Sequence, residues 1–365
     1  MPRSSLAAHF IVAVFVFGGL RAHAQTPPPE APSALLLGLR FEEAIPAPLP
    51  YYAGSADSLA RARYRTFLFV QEPGGTLELR AELPGVVVPR RTGLWLVDAR
   101  RSLYNNWVED FLTAAPFGVK PDRPGIQPYN GEFCKGHRVQ IVHFAAPSYL
   151  GLEQQSAGYC EDAAHPWFTN ALAIVPVDST LHLGLRISDV LGRNGEAALA
   201  AGIDRFLAGL QSQQERALYS GRQDEANWGL IRRNGHWLIR ARVESDELAT
   251  ARFADFVLPM RPPASLVGFD ELAPSWERIR EFVPDATDAV SSPQKDWVVI
   301  LRPGRLSVHP VLRDTSIGPA ASEFPVPRGA VIVLNQWTNQ NARTWSQLLR
   351  GQAPQASVGW QPVTR

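Results

Sequence analysis

Residues 156 to 167 read SAGYCEDAAHPW, crowding a cysteine, two carboxylates, a histidine and aromatic rings into twelve positions. Those residue types could supply a thiol nucleophile with a histidine base, ligands for a metal, or a rigid recognition surface. The thiol is the weakest of the three. Cys134 and Cys160 are the only cysteines, and an even pair in an exported chain predicts a disulfide. The loop it closes, roughly 25 residues, corresponds to about 3 to 4 kcal/mol in the chain-entropy model. For a metal, His165 has Glu161 and Asp162 nearby, but no His-Glu-x-x-His, Cys-x-x-Cys or calcium-loop spacing is present. His137 and His143 share a face of one extended run, roughly 20 Å apart, too far to hold one ion. Neither metal nor cofactor is expected. Tyr149, Glu153, Tyr159, His165 and Trp167 then stand as candidate binding residues, rings and charges around a stapled loop. The same rings could instead plug one end of the core.

Other catalytic patterns are thin. No Gly-x-Ser-x-Gly elbow occurs. Ser292-Pro293-Gln294-Lys295 matches Ser-x-x-Lys, whose mechanism sets the lysine one helical turn behind the serine, yet it runs straight into a strand pattern at Trp297–Leu301. Neither Ser-Asp-Asn nor Lys-Thr-Gly accompanies it. No catalytic residue is assigned, although a triad assembled in space would leave no sequence motif.

The elements that must position these residues begin after an export signal. Arg3, the apolar run Leu6–Leu20 and the small-x-small site Ala22-His23-Ala24 predict a signal peptide over residues 1–24. The run is shorter than the roughly 20 apolar residues a membrane span needs. The mature chain is expected in the periplasm or outside the cell, with no membrane span and a proline-rich tether at residues 25–33. Removing the signal deletes two arginines and leaves 34 basic against 35 acidic side chains. Clustered basic charge marks nucleic-acid binders, so no nucleic-acid partner is expected.

Beyond the tether the pattern is short strands and tight turns. Thr66–Gln71 and Thr76–Leu83 read as a hairpin around Pro73-Gly74-Gly75. In NWGLIRRNGHWLIRAR, Asn234-Gly235 predicts a type I′ turn that pairs Arg232 with Trp237, Leu230 with Ile239 and Trp228 with Ala241. A Pro303-Gly304 turn predicts another hairpin in DWVVILRPGRLSV, with Trp297, Val299, Leu301, Leu306 and Val308 on one face. With PRRTGLWLV, a loose Arg-x-Gly-x-(Trp/Leu)-x-(Val/Ile) pattern recurs at Gly93, Gly235 and Gly304, at intervals of 142 and 69. Propeller blades usually repeat every 40 to 50 residues or so, which leaves the propeller as an alternative reading. Leu181–Ile187 alternates like a strand. Leu199, Ile203, Phe206, Leu207 and Leu210 form the apolar stripe of a long helix over Glu196–Ala217. Shorter helices are predicted at Trp276–Phe282, with Ser275 as N-cap, and Ala342–Leu349. The fold class is α+β and β-dominated, antiparallel hairpins with one long amphipathic helix packed on a sheet; the alternative is β-propeller-like.

Residues 138–260 carry Ser148-Tyr149-Leu150-Gly151-Leu152-Glu153, Ala164-His165-Pro166 and Leu185-Arg186-Ile187-Ser188-Asp189-Val190-Leu191. In these the stretch resembles the extracellular sensor domain of lysozyme-responsive anti-sigma factors, also found beside secreted peptidoglycan deacetylases. That family has Gly-Gly-Ala-His where this chain has Asp162-Ala163-Ala164-His165. The resemblance implies an α+β binding domain without chemistry of its own. The domains expected are a β-rich lobe at 34–130, the sensor-like domain at 131–262 and a β-hairpin lobe at 263–365. The expected function is an exported, non-catalytic binding or envelope-associated protein recognising a protein or glycan surface. The alternatives are a secreted hydrolase of cell-wall or other polymers and a structural accessory subunit of an envelope assembly.

Overall fold

A computed structural model of the chain describes residues 32–43, 61–104, 107–121, 134–160, 167–179, 184–219, 224–245 and 252–350. The expected signal peptide lies outside these residues, as do nearly all of the tether and Glu161, Asp162 and His165. Strands make up 52% of the structure and helices 17%, so the expectation of a β-dominated chain holds.

The strands form four sheets. The first, in order β17-β1-β2-β3, joins β1 (Ser33–Glu43), β2 (Arg61–Gln71) and β3 (Leu77–Pro84) to the last strand of the chain, β17 (Val331–Thr338). The second runs β4 (Val86–Arg90), β5 (Gly93–Tyr104), β6 (Trp107–Pro116), β7 (Cys134–Ala145), β8 (Tyr149–Cys160) and β9 (Trp167–Pro176), drawing on both sides of residue 130. The third holds β10 (Trp228–Arg233), β11 (His236–Glu244) and β12 (Phe253–Val257). The fourth holds β13 (Asp288–Ser291), β14 (Trp297–Arg302), β15 (Arg305–Pro310) and β16 (Ser322–Pro325). All pairs are antiparallel except a short parallel contact of β6 with β7.

Packing arranges the sheets in a ring. In β1, Ala34 and Leu36 join a core with the second sheet, whereas Leu35, Leu37 and Leu39 join one with the fourth. Both faces of this strand are covered, which explains a continuous apolar run in place of alternation. Phe144 and Ile174 of the second sheet pack with Trp228, Leu230, Trp237 and Ile239 of the third. The third meets the fourth through Arg232, whose Nε donates to Asp288 at 2.9 Å and Nη2 to the Ala289 carbonyl at 2.7 Å. Four sheets in a closed ring, the last strand completing the first sheet, is the layout of a four-bladed β-propeller, and the alternative reading describes it better than helix-on-sheet.

The repeat was masked by unequal blades. Gly93, Gly235 and Gly304 each mark a hairpin in a different sheet, but the second sheet has six strands and a helical segment precedes the third. That segment also corrects the expected elements. Gly184, Leu185 and Arg186 form no strand, and Ile187 opens α1 (Ile187–Gly209). Gly192 sits at φ +64°, so α1 is kinked and starts nine residues before the expected Glu196. It ends at Gly209, and α2 (Gln213–Tyr219) is a separate helix. Leu199 and Ile203 are buried as expected, with Gly202 packed on Phe256 and Leu258 beside β12. The hairpin at Asn234-Gly235 has the expected pairs and positive φ at both turn residues. The other helices, α3 (Trp276–Phe282), whose N-cap Ser275 accepts from the Arg278 amide, and α4 (Ala342–Leu348), lie where predicted.

Candidate functional site

The best-connected polar cluster lies where the first three sheets meet. It is centred on Glu153 of β8, buried despite its charge. On the adjacent β7, the pairing shifts between Val142 and Phe144, so His143 is the extra residue of a β-bulge. By the β7–β8 register Glu153, which His143 contacts, shares a face with Ile141, Val139 and His137. His143 Nε2 donates to Glu153 Oε2 at 2.8 Å, and Arg40 Nη1 of β1 donates to His143 Nδ1 at 3.0 Å. The same Arg40 Nη1 lies 3.2 Å from Nε2 and so contacts both ring nitrogens, and the donation to Glu153 assigns a proton to Nε2.

The third sheet contributes the opposing charges. In β11, Trp237, Ile239, Ala241 and Val243 face the core, and the intervening Arg240 and Arg242 share the opposite face. Arg242 is buried; its Nη1 donates to Glu153 Oε1 at 3.1 Å and to the Asn170 side chain of β9. Its Nε and Nη2 grip Asp255 of β12 at 2.6 and 3.0 Å, a bidentate fork. Arg240 Nη1 also donates to Asp255, at 2.9 Å, and its Nη2 lies 3.6 Å from Glu153.

The electrostatics follow from burial and sign. Burial is the main force on His143, lowering its pKa to about 4; the hydrogen bond to Glu153 opposes this, and the charges of Arg40 and Arg240 reinforce it. For Glu153, burial works to raise the pKa, but the hydrogen bond from His143 and the charge of Arg242 outweigh it and hold the carboxylate far below its usual range. Burial alone would weaken the Arg242 charge, yet Asp255 and Glu153 raise its pKa above the ordinary value. The resting cluster is therefore a neutral imidazole among three guanidiniums and two carboxylates.

Only Glu153 of the five sequence-chosen binding residues belongs to this cluster. Tyr149 opens the same strand and packs half-buried on the core beneath the third sheet. Tyr159 and Trp167 lie at the far end of β8 and the start of β9, roughly 20 Å from Glu153 by strand length. There Trp167 stacks on Trp107 with centroids 6.2 Å apart and pairs with Gly158. Cys134 and Cys160, facing each other across β7 and β8, form the expected disulfide. His165 lies outside the described residues. Between the two ends, Phe168 of β9 is 39% exposed and meets the ring of Phe253 of β12 edge-on at 5.4 Å. Arg242 lies over that Phe253 ring at 5.9 Å.

Arg40, His143, Asn170, Arg240, Arg242 and Asp255 were missed by sequence reasoning. The available signal was Arg240-x-Arg242, the polar face of a strand whose apolar face had been assigned. The Ser-x-x-Lys match is a turn: the Ser292 hydroxyl donates to Asp296 at 2.6 Å, whereas Lys295 pairs with Glu271 at 3.0 Å. Among the described residues, no three His, Cys, Asp or Glu side chains are grouped to hold a metal ion.

No family model matches the chain, and no curated protein matches it. Among solved structures, a protein of Bacteroides uniformis ATCC 8492, provisionally assigned as a 6-phosphogluconolactonase, is similar at 9% identity, covering 83% of this chain and 99% of its own, with a TM-score of 0.21. A TM-score that low carries no inference about fold or activity.

Proposed function

We propose that the protein is an exported, non-catalytic binding protein that recognises an envelope protein or glycan surface along β8, β9 and β12. The carrying observation is the ring pair of exposed Phe168 and half-buried Phe253, mounted on strands that the Arg242–Glu153–Asp255 network locks together. An apolar platform held by buried charge pairs loses little conformational freedom on binding, which is where affinity is usually forfeited. Strands β7 to β12 and α1 make up the stretch that resembles the sensor domain, and the binding role implied by that resemblance enters here as part of the proposal.

The hydrolase reading has one observation in its favour, the 2.8 Å contact of His143 with Glu153. A general base needs a free ring nitrogen beside its nucleophile or water. His143 Nε2 is engaged by Glu153 while the Arg40 guanidinium covers both ring nitrogens, and among the described residues no hydroxyl or thiol hydrogen-bonds to it. Binding is favoured on that ground. Co-sedimentation of the intact protein with purified peptidoglycan sacculi tests it. Wild type is expected to pellet with sacculi and release no soluble fragments, and Phe168→Ala to stay in the supernatant while remaining folded. Release of fragments that stops on His143→Gln would install the hydrolase reading instead.

A further inference from the structure

The cluster carries more positive charge than its internal partners balance. Three guanidiniums, Arg40, Arg240 and Arg242, meet two carboxylates, Glu153 and Asp255, around a neutral His143. Asp255 is gripped by both Arg242 and Arg240, and Glu153 by His143 and Arg242. Arg40, half-exposed, meets only a ring of His143 through one nitrogen and has no carboxylate partner among the described residues. Arg240 Nε is buried with no acceptor. Burial is the main force lowering the Arg240 pKa; the charges of Asp255 and Glu153 work to raise it, and the smaller effects of Arg242 and Arg40 work to lower it.

We propose that the corner formed by Arg40, His143 and Arg240 receives the single carboxylate of an acidic saccharide whose neighbouring sugar rings lie on Phe168 and Phe253. The inference rests on the binding reading above and names its ligand. A surplus of one positive charge matches a monoanion, and a guanidinium fork matches a carboxylate. Phe168, Asn170 and Leu172 alternate along one face of β9, opposite Ala157, Gln155 and Glu153 on β8. The ring platform therefore stands roughly 13 Å along the sheet from Glu153, about the span of a few linked sugars. Between them lie Gln155, whose Nε2 donates to Glu153 at 3.3 Å and leaves its Oε1 to accept from a hydroxyl, and Asn170, which is held by Arg242. An acidic peptide would be expected to add to a sheet edge. Here the β9 edge is already used: Asn227 accepts from the Leu172 amide at 2.8 Å, and Phe168 meets Phe253 of the β12 edge.

Titration calorimetry of the intact protein with an aldotriouronic acid (a neutral disaccharide bearing one uronate), its methyl ester, maltotriose and triglutamate tests this. The aldotriouronic acid is expected to bind, and to weaken tenfold or more on methyl esterification, on Arg40→Gln, and between 50 and 300 mM salt. The ester arm uses wild-type protein, so it stands even if Arg40→Gln fails to fold. Equal binding of acid and ester, or tighter binding of triglutamate, overturns the inference; so does failure of every carboxylate probe. Sacculus binding that is lost with Phe168→Ala but indifferent to Arg40→Gln and to salt would leave the binding reading standing and remove the acidic-saccharide one.

Discussion

At the residue scale, Glu153 is the charge on which the rest depend. Truncating one partner of a buried ion pair strands the other, at a cost of about 3 to 5 kcal/mol, whereas an exposed pair is worth under about 1 kcal/mol. Glu153→Ala would leave Arg242, with a side chain 6% exposed, with Asp255 as its one carboxylate partner among the described residues, and would unseat His143. Denaturant unfolding is expected to show a loss of about 3 to 5 kcal/mol for Glu153→Ala and a small change for the exposed Glu323→Ala. A loss under about 1 kcal/mol for Glu153→Ala would show that the network holds nothing together. His143 adds a pH dependence. Its folded pKa, about 4, lies below the ordinary 6.5, so the unfolded chain binds more protons between those values. Its contribution is fully present above about pH 6.5 and is lost as pH falls through about 4, amounting to about 3 kcal/mol. His143→Gln should flatten stability against pH in that window. A residual slope is expected from His137 and His309, whose pKa values burial also lowers. An unchanged profile would refute the neutral imidazole. Glu153 was legible because a carboxylate stood among aromatic residues. His143 was not: alternation gives its face, but the partners that matter, Glu153 on β8 and Arg40 on β1, are set by strand pairing and sheet packing far along the chain.

Among the elements, the β10–β11 hairpin shows what local sequence determines. Asn234 and Gly235 have φ of +54° and +80°, and a Cβ at Gly235 would come within 2.5 Å of Leu272. Gly235→Ala is expected to cost about 1 to 3 kcal/mol through backbone strain alone; a variant as stable as wild type would mean the turn is not the determinant of register. This hairpin, the one at Pro303-Gly304 and the Ser275-capped helix were all readable, because each is specified by residues within one turn of each other. The helix at 187–209 was half readable. Its apolar stripe begins at Leu199, but the first turns look like strand alternation, and nothing local says that Ile187 is covered by the third sheet's core. Arg240 and Arg242 belong with this limit: their face of β11 is ordinary in sequence, and only the approach of β8 and β9 turns it into a site.

The whole molecule depends on pairing between its two ends. β17 lies against β1 from Ala34↔Thr338 to Arg40↔Val331, and its Ile332 joins the core with the fourth sheet while Val333 and Leu334 join the core with the second. Trp345 and Leu349 of the following segment are buried in that same second-sheet core. No sequence pattern shows a strand meeting another some three hundred residues away, which is why the ring was the alternative and not the main expectation. Removing residues 327–365 would expose one full edge of β1 and strip these five side chains from two cores. At about 1.5 to 3 kcal/mol for each buried side chain, the loss is on the order of 10 kcal/mol, comparable with the whole stability of an ordinary domain. The truncated chain is therefore expected to lack a cooperative unfolding transition, although the β10–β11 and β14–β15 hairpins it retains are locally specified. Thermal and denaturant unfolding followed by tryptophan fluorescence reads this directly. A sharp transition with a native-like denaturant slope in the truncated protein would show that the sheets fold without closure by β17, and that the ring is a consequence of the fold rather than its condition.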